Sequence, residues 1–428
     1  MPQQQIPLII AIAPFPEGFQ GDMDETFQQA TQLMEAYIEG NFLTGLILPP
    51  GSTLPTTDQG PIAMGEQWYF WDAATGQYVP QTVSIKMAKN FAKNSVYQIQ
   101  QAGTSFTPGV GVTQSFDMAI CRCTQAGMLA IAPDVGPAAS GDTDPIASSI
   151  RYTVGPSLLP TPAATDLFAH EHLFEGSDIA MLQGQTLSLS FSVWVNQPGT
   201  YSVYLASSGR DASYVVQFTV STANTWTRIK IPGIPPLPTT MGTWHFGEGV
   251  TGLYIGIPMA VGSQWQTTTP NSWHPVFAAG TSANSNLLTV ANNQIKITGI
   301  KLEASSSVSY LSVPAFDADY NDCIRYYFTT FDYQSVTAGV GIQGAAWTAN
   351  TAIFTTVFPR RMCKAPTVVP YGWTSHAAGN ITNVSTGADF ALANWSAHQK
   401  GLTGTASPTA TAKGDVFLTY ITADARLS

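Results

Sequence analysis

Four consecutive segments alternate apolar and polar residues with a period of two: TLSLSFSVWV (186–195), TYSVYLASS (200–208), SYVVQFTV (213–220) and TWTRIKIP (225–232). Successive side chains of a strand point to opposite faces, so these segments can cover a sheet but cannot form the stripe of an amphipathic helix. Gly, Pro, Asn or Asp separates each from the next at about ten-residue spacing, the rhythm of antiparallel strands. Further strands are expected in GLYIGIPMAV (252–261), in NNQIKITGIKLEA (292–304) and through most of the last hundred residues. Strands do not alternate with helices, which excludes Rossmann and TIM-barrel architectures. The expected fold is mostly β: an antiparallel jelly-roll sandwich plus a C-terminal β module, with a short N-terminal helix.

That helix is expected over residues 22–42, where Asp22 and Asp24 suit a helix start and Phe27, Ala30, Met34 and Tyr37 fall on one stripe. Its stripe could pack on its own domain or on symmetry mates. Pro49, Pro50, Pro55 and Pro61 then stiffen a connector, and GEQWYFWDAATGQYVPQ (65–81) reads as an aromatic hairpin. A boundary is placed where Asp317, Asp319 and Asp322 interrupt the strand pattern. The expected divisions are an attachment helix region (1–45), linker and hairpin (46–82), jelly roll (83–315) and C-terminal β module (316–428).

Only 10% of the 428 residues are charged, against roughly 25% in an ordinary domain. Thr, Ser, Gly, Asn and Gln take their place, which suits surfaces that meet sister copies or neutral ligands. The net charge of −10 argues against a nucleic-acid partner, which needs a basic surplus. The longest apolar run near the start, Ile6 to Pro14, is too short to span a bilayer and lacks the flanks of a secretory signal. No membrane insertion is therefore expected, and assembly is expected in a cytoplasm.

Several stretches resemble the jelly-roll and C-terminal modules of tail fibres, spikes and decoration proteins of tailed phages. NSVYQIQQAGTSFT (94–107) looks like their opening strand, and FEGSDIAMLQGQTLSLSFSVWV (174–195) like their central strand pair. TANTWTRIKIPGIP (222–235) is similar to the return strand. ITGIKLEASSSVSYLSVPAFDADYNDCIRYY (297–327) resembles the junction "LE…C.RYY" that precedes the final module. Lys301 stands where the family often has Gln, and Asp322 where it often has a Glu-led helix start. The resemblance implies a virion protein assembled in the host cytoplasm: a homotrimer attached to other virion proteins by its N-terminal region and contacting a host surface glycan or protein. A head or neck decoration without a receptor, and a carbohydrate-cleaving tailspike, remain alternatives. Within CIRYYF, a strand would put Cys323, Arg325 and Tyr327 on one face and Ile324, Tyr326 and Phe328 on the other.

Residues able to carry chemistry are few. Cys121, Cys123, Cys323 and Cys363 have no CxxC spacing and read as free buried thiols. His170 and His172 form an HxH on an expected strand, but no third ligand lies near in sequence. Carboxylate pairs for sugar cleavage could be drawn from Asp142, Asp144, Asp178, Asp317 and Asp319, most of them in turns. There is no GxSxG, no Walker loop, no GxGxxG that opens a helix and no HExxH, so neither a cofactor nor a catalytic centre is expected. The stronger surface is aromatic. Trp244, Trp265 and Trp273 lie in Gly-, Asn- and Pro-rich loops, and Trp373 and Trp395 in the last module, where rings could stack on sugars or plug the ends of the sandwich.

Overall fold

The computed structural model describes residues 46–48, 53–57, 62–64, 67–72, 76–81, 88–140, 143–348, 350–391, 394–406 and 412–427. The chain divides into two compact units, Met1–Lys86 and Met87–Ser428. The helix expected at 22–42 lies outside the described residues. In the first unit, β1 (Leu46–Leu48), β2 (Ile62–Met64), β3 (Gln67–Asp72) and β4 (Gln77–Gln81) form a sheet in that order. The expected aromatic hairpin is β3–β4, with Trp68 opposite Gln81 and Asp72 opposite Gln77.

The second unit opens with an antiparallel jelly-roll sandwich. Its strands are β5 (Gly111–Gln114), β6 (Ala119–Cys123), β7 (Leu129–Asp134), β8 (Ser149–Val154), β9 (Leu167–Glu175), β10 (Leu187–Val195), β11 (Gly199–Ser207), β12 (Ser213–Val220), β13 (Thr227–Ile234), β14 (Thr251–Val261), β15 (Trp273–His274) and β16 (Gln294–Glu303). One sheet runs β13-β10-β16-β8-β7 and the other β15-β12-β11-β14-β9-β6-β5. A short helix α1 (Gly176–Ile179) follows β9. Between the sheets, Leu189, Phe191 and Val193 of β10 meet Val203 and Leu205 of β11, Ile255 and Ile257 of β14, and Ile295 and Ile297 of β16 in one buried core.

The C-terminal module holds helix α2 (Phe316–Ile324) and strands β17 (Tyr327–Thr329), β18 (Ile342–Thr348), β19 (Thr351–Val357), β20 (Thr367–Gly372), β21 (Asn380–Asn383), β22 (Asp389–Ala391), β23 (Asn394–His398), β24 (Gly401–Ala406) and β25 (Val416–Asp424). All nine strands belong to one sheet, in which β25 pairs with β17, β18, β20 and β21. A second apolar core joins this module to the outer face of the seven-stranded sheet: Ile120, Leu173, Tyr204 and Tyr254 cluster with Phe354, Met362, Ile421 and Leu427. Strands β9 and β14 are thereby buried at every position. This is why GLYIGIPMAV is apolar almost throughout rather than alternating. Gly256 of β14 is required by the packing, because a Cβ there would sit 2.1 Å from the Tyr204 ring.

Two sequence expectations are corrected. CIRYYF is not one strand: Cys323 and Ile324 end α2, Arg325 caps it, and β17 starts only at Tyr327. Asp317 and Asp319 occupy the first turn, where the helix dipole favours negative charge. The segment 94–107 is likewise not a strand. Asn94 and Tyr97 take positive φ (48° and 55°), and the Asn94 amide donates to the Ile99 and Asp117 carbonyls while accepting from the Ile99 N–H. Those local bonds satisfy the backbone as a ladder otherwise would, and they drive Tyr97 fully into the core.

Candidate functional site

The expected tryptophans do not converge. Trp244 and Trp273 meet edge to face at 5.7 Å, each half-buried, and Trp273 also packs on Tyr214. Their indole N–H groups donate to backbone carbonyls, Trp244 to Met241 and Pro238, Trp273 to Pro235. Trp265 lies apart against Phe277 and donates to the Thr165 carbonyl. Trp373 stacks on Tyr420 at 4.7 Å, and Tyr420 stacks in turn on Phe331 at 4.5 Å. Trp395 pairs through its backbone with Gly404 in β23–β24, while its side chain lies outside the described residues. These rings close loops and brace strands.

The HxH sits on β9 facing the sandwich core. Tyr97 Oη lies 2.7 Å from His170 Nε2 and 3.1 Å from His172 Nδ1, and Tyr152 Oη lies 2.8 Å from His170 Nδ1. Burial holds both imidazoles well below the usual histidine range, His172 at about 3. His172 Nε2 makes no hydrogen bond of normal geometry, although the Lys93 backbone favours a proton there. Since Tyr97 has one proton to give, a consistent assignment has it donate to His172 and accept from His170, which accepts from Tyr152. Cys121 and Cys123 share this inner face with their Sγ atoms 3.4 Å apart, and all four cysteines are buried free thiols. Among the described residues no three His, Cys, Asp or Glu side chains converge as metal ligands.

Residues between the two HxH partners and at the junction motif build charge networks instead. Glu171, fully buried on the opposite face of β9, accepts from Arg210 through both oxygens and from Tyr204, with Arg122 at 3.6 Å. The Arg210 guanidinium lies 3.7 Å from the Tyr254 ring centroid. At the module junction, Glu175 accepts from Arg325 (2.9 Å), Tyr326 (2.6 Å) and the Gly249 N–H (2.7 Å). Burial alone would raise the Glu175 carboxyl, but these donors carry it below the ordinary carboxylate range. Lys93 bridges Asp178 and Tyr326, and Arg325 also reaches Glu248. The "C.RYY" residues are thus a clamp between modules of one chain. Lys301 and Glu303 pair at the end of the central strand β16 and fasten Ser309 of the connector, which Asp144 holds through Tyr310 and Val313. Asp317 is exposed, and Asp142 lies outside the described residues.

One concavity was not singled out by sequence. It is a groove of about 660 Å³ on the C-terminal module, formed by α2, β17, the loop after it, and β18–β19. Tyr320, Phe328, Phe331 and Tyr333 supply rings, and Thr330, Gln343, Thr355 and Thr356 supply hydroxyl and amide groups. Asp332 is its only formally charged residue. Tyr320 and Tyr333 meet edge to face at 6.0 Å, and burial pushes the Tyr333 phenol up to about 12, so it is neutral at physiological pH. The Tyr333 hydroxyl is pinned by Gln98 and Gln100, which fixes the ring against the jelly roll. Its contributors lie at 320–333 and 340–356, so only the fold assembles it.

No protein family and no curated protein matches this sequence. Among solved structures it overlaps a carbohydrate-binding module in complex with β-1,4-galactotriose (9% identity, TM-score 0.26, 51% of this chain and 100% of that one). It also overlaps a family 11 carbohydrate-binding module from Clostridium thermocellum in complex with a β-1,3-1,4-mixed-linked tetrasaccharide (8%, TM-score 0.26, 48% and 99%). A third overlap is with the enzymatically active domain of bacteriophage CBA120 tailspike protein 4 (10%, TM-score 0.25, 50% and 21%). Overlaps this loose assign neither family nor ligand. No helix among the described residues is long and apolar enough to cross a membrane.

Proposed function

We propose that the chain is a phage virion protein, a homotrimeric tail-fibre or spike-like subunit whose N-terminal region joins other virion proteins and whose groove contacts a host surface glycan. The observation that carries this reading is the groove's chemistry: aromatic faces beside Thr and Gln side chains, with a single charge. Sugar rings present apolar faces to stack and hydroxyls to hydrogen-bond, and such a mixture serves both. Binding without cleavage is the reading favoured for the groove, because glycoside hydrolysis commonly needs two carboxyl groups and the groove holds one. Copy number in a trimer would multiply weak single contacts into avidity.

Self-association is supported by the outer face of β18, β19 and β24. Trp347, Ile353 and Val357 are exposed there beside Thr403 and Thr405, none of these carries a charge, and Gln343 and Thr355 mark where this face meets the groove. Copies carrying a net charge of −10 repel one another except through such a face. The test is competition: purified chain is expected to reduce phage adsorption to host cells, and Gln343→Arg and Thr355→Arg to abolish that effect while melting and sedimenting as wild type. Equal inhibition by wild type and both variants would remove the groove from receptor contact.

A further inference from the structure

We propose a second ligand site, separate from the groove and not resting on it: the cleft between the jelly roll and α2 binds a neutral sugar unit. The cleft encloses about 460 Å³, within the range of small-molecule sites. It is lined by the start of the jelly roll, the β9–α1 turn and α2, and the groove lies across α2 on Tyr320. Four basic and four acidic residues line it, so its formal charge is zero and no net field selects an ion.

Ser95 supplies the observation that points to a ligand. It lines the cleft, is 1% exposed, and its Oγ has no hydrogen-bond partner. A buried hydroxyl is rarely left unpaired without a reason. Around it two carboxylates are partly engaged, Lys93 bonding one oxygen of Asp178 and Arg360 one oxygen of Asp322, whereas both oxygens of Glu175 and of Asp319 are taken. Two half-engaged carboxylates, the Ser95 hydroxyl and the Phe91 ring offer acceptors, a donor and an apolar face together. Vicinal hydroxyls on a pyranose match that set, since each can donate to a carboxylate oxygen while accepting from a hydroxyl or an ammonium. A phosphate or free carboxylate would meet the same carboxylates with no net positive field to offset them.

The experiment titrates the full chain with free glucose, galactose, mannose, rhamnose and N-acetylglucosamine, read by saturation-transfer NMR and calorimetry. At least one is expected to saturate the wild type. Ser95→Ala, Asp178→Asn and Asp322→Asn are each expected to weaken that binding by about tenfold, and Val290→Ala, exposed and in neither site, to leave it unchanged. Asp322 lies on the half-buried flank of α2, so Asp322→Asn keeps the test valid if another variant misfolds. Three results overturn the site: no sugar saturates the wild type, the cleft variants bind unchanged, or only the groove variant Gln343→Arg loses binding. The last result would assign the sugar to the groove and leave the adhesin reading standing.

Discussion

Glu171 has no solvent contact, and its charge is carried by Arg210, Tyr204 and Arg122. Breaking one partner of a buried pair strands the other charge, at about 3–5 kcal/mol. Arg210→Ala is therefore expected to cost several kcal/mol in chemical denaturation, and more than Arg360→Ala, whose pair with Asp322 is half exposed. The two core histidines give a pH dependence. Their folded pKa values lie below the unfolded value near 6.5, so the unfolded state alone takes up protons as pH falls below about 6.5. Stability is complete above that value and is lost toward about 3, by about 1.4 kcal/mol per pH unit for each histidine. Asp117, pushed up by burial to about 6, works the other way: its contribution is present in acid and lost as pH rises from about 4 to 6. Two histidines outweigh one aspartate, so the melting temperature should drop between pH 6.5 and 4; a flat profile would count against buried neutral imidazoles. The HxH itself was legible in the sequence, but its meaning was not. Tyr97 and Tyr152, the hydroxyls that occupy three of its four nitrogens' contacts, are remote in sequence, and ligand spacing says nothing about them.

At the scale of elements, the alternating segments were read correctly because one face of each meets the sandwich core: 186–195, 200–208 and 213–220 became β10, β11 and β12 within a residue or so at the ends. Failures occurred where something other than a strand ladder satisfies the backbone. At 94–107 the Asn94 amide takes over that role. At 316–325 the strand reading of CIRYYF, with bulky residues on both faces, ran into the end of a helix whose first turn is acidic. The clamp residues in that motif can be tested directly. Arg325→Ala leaves Glu175, which is 1% exposed, without its main cation and is expected to cost about 3–5 kcal/mol. Tyr326→Phe, which removes the hydrogen bonds to Glu175 and from Lys93 while keeping the ring, should cost about 1–3 kcal/mol. Gly256→Ala should destabilise as much as a core overpacking mutation, about 1–3 kcal/mol, since the Tyr204 ring must move. Denaturant melts of the three variants check the order.

For the whole molecule, low charge was the informative bulk property, and it maps onto a definite place, the uncharged outer face of β18, β19 and β24. The groove was illegible because its walls come from segments that only the sheet brings together. Trp347, 69% exposed at an irregularity in the β18–β19 register, was likewise hidden among ordinary strand residues. Trp347→Lys with Ile353→Lys is expected to shift sedimenting species toward monomer while preserving the melt; an unchanged sedimentation profile would place any subunit contact elsewhere. The dependence of four strands on β25 also bears on how the protein is made. About 90 residues separate β17 from that strand, so at ribosomal speed the earlier strands wait on the order of 5–20 s without their neighbour. During that interval their unpaired edges are open to chaperones or to other nascent chains, and a chain that stops before Val416 keeps β18, β19, β24 and β23 paired with one another but has nothing to join them to β17, β20 and β21.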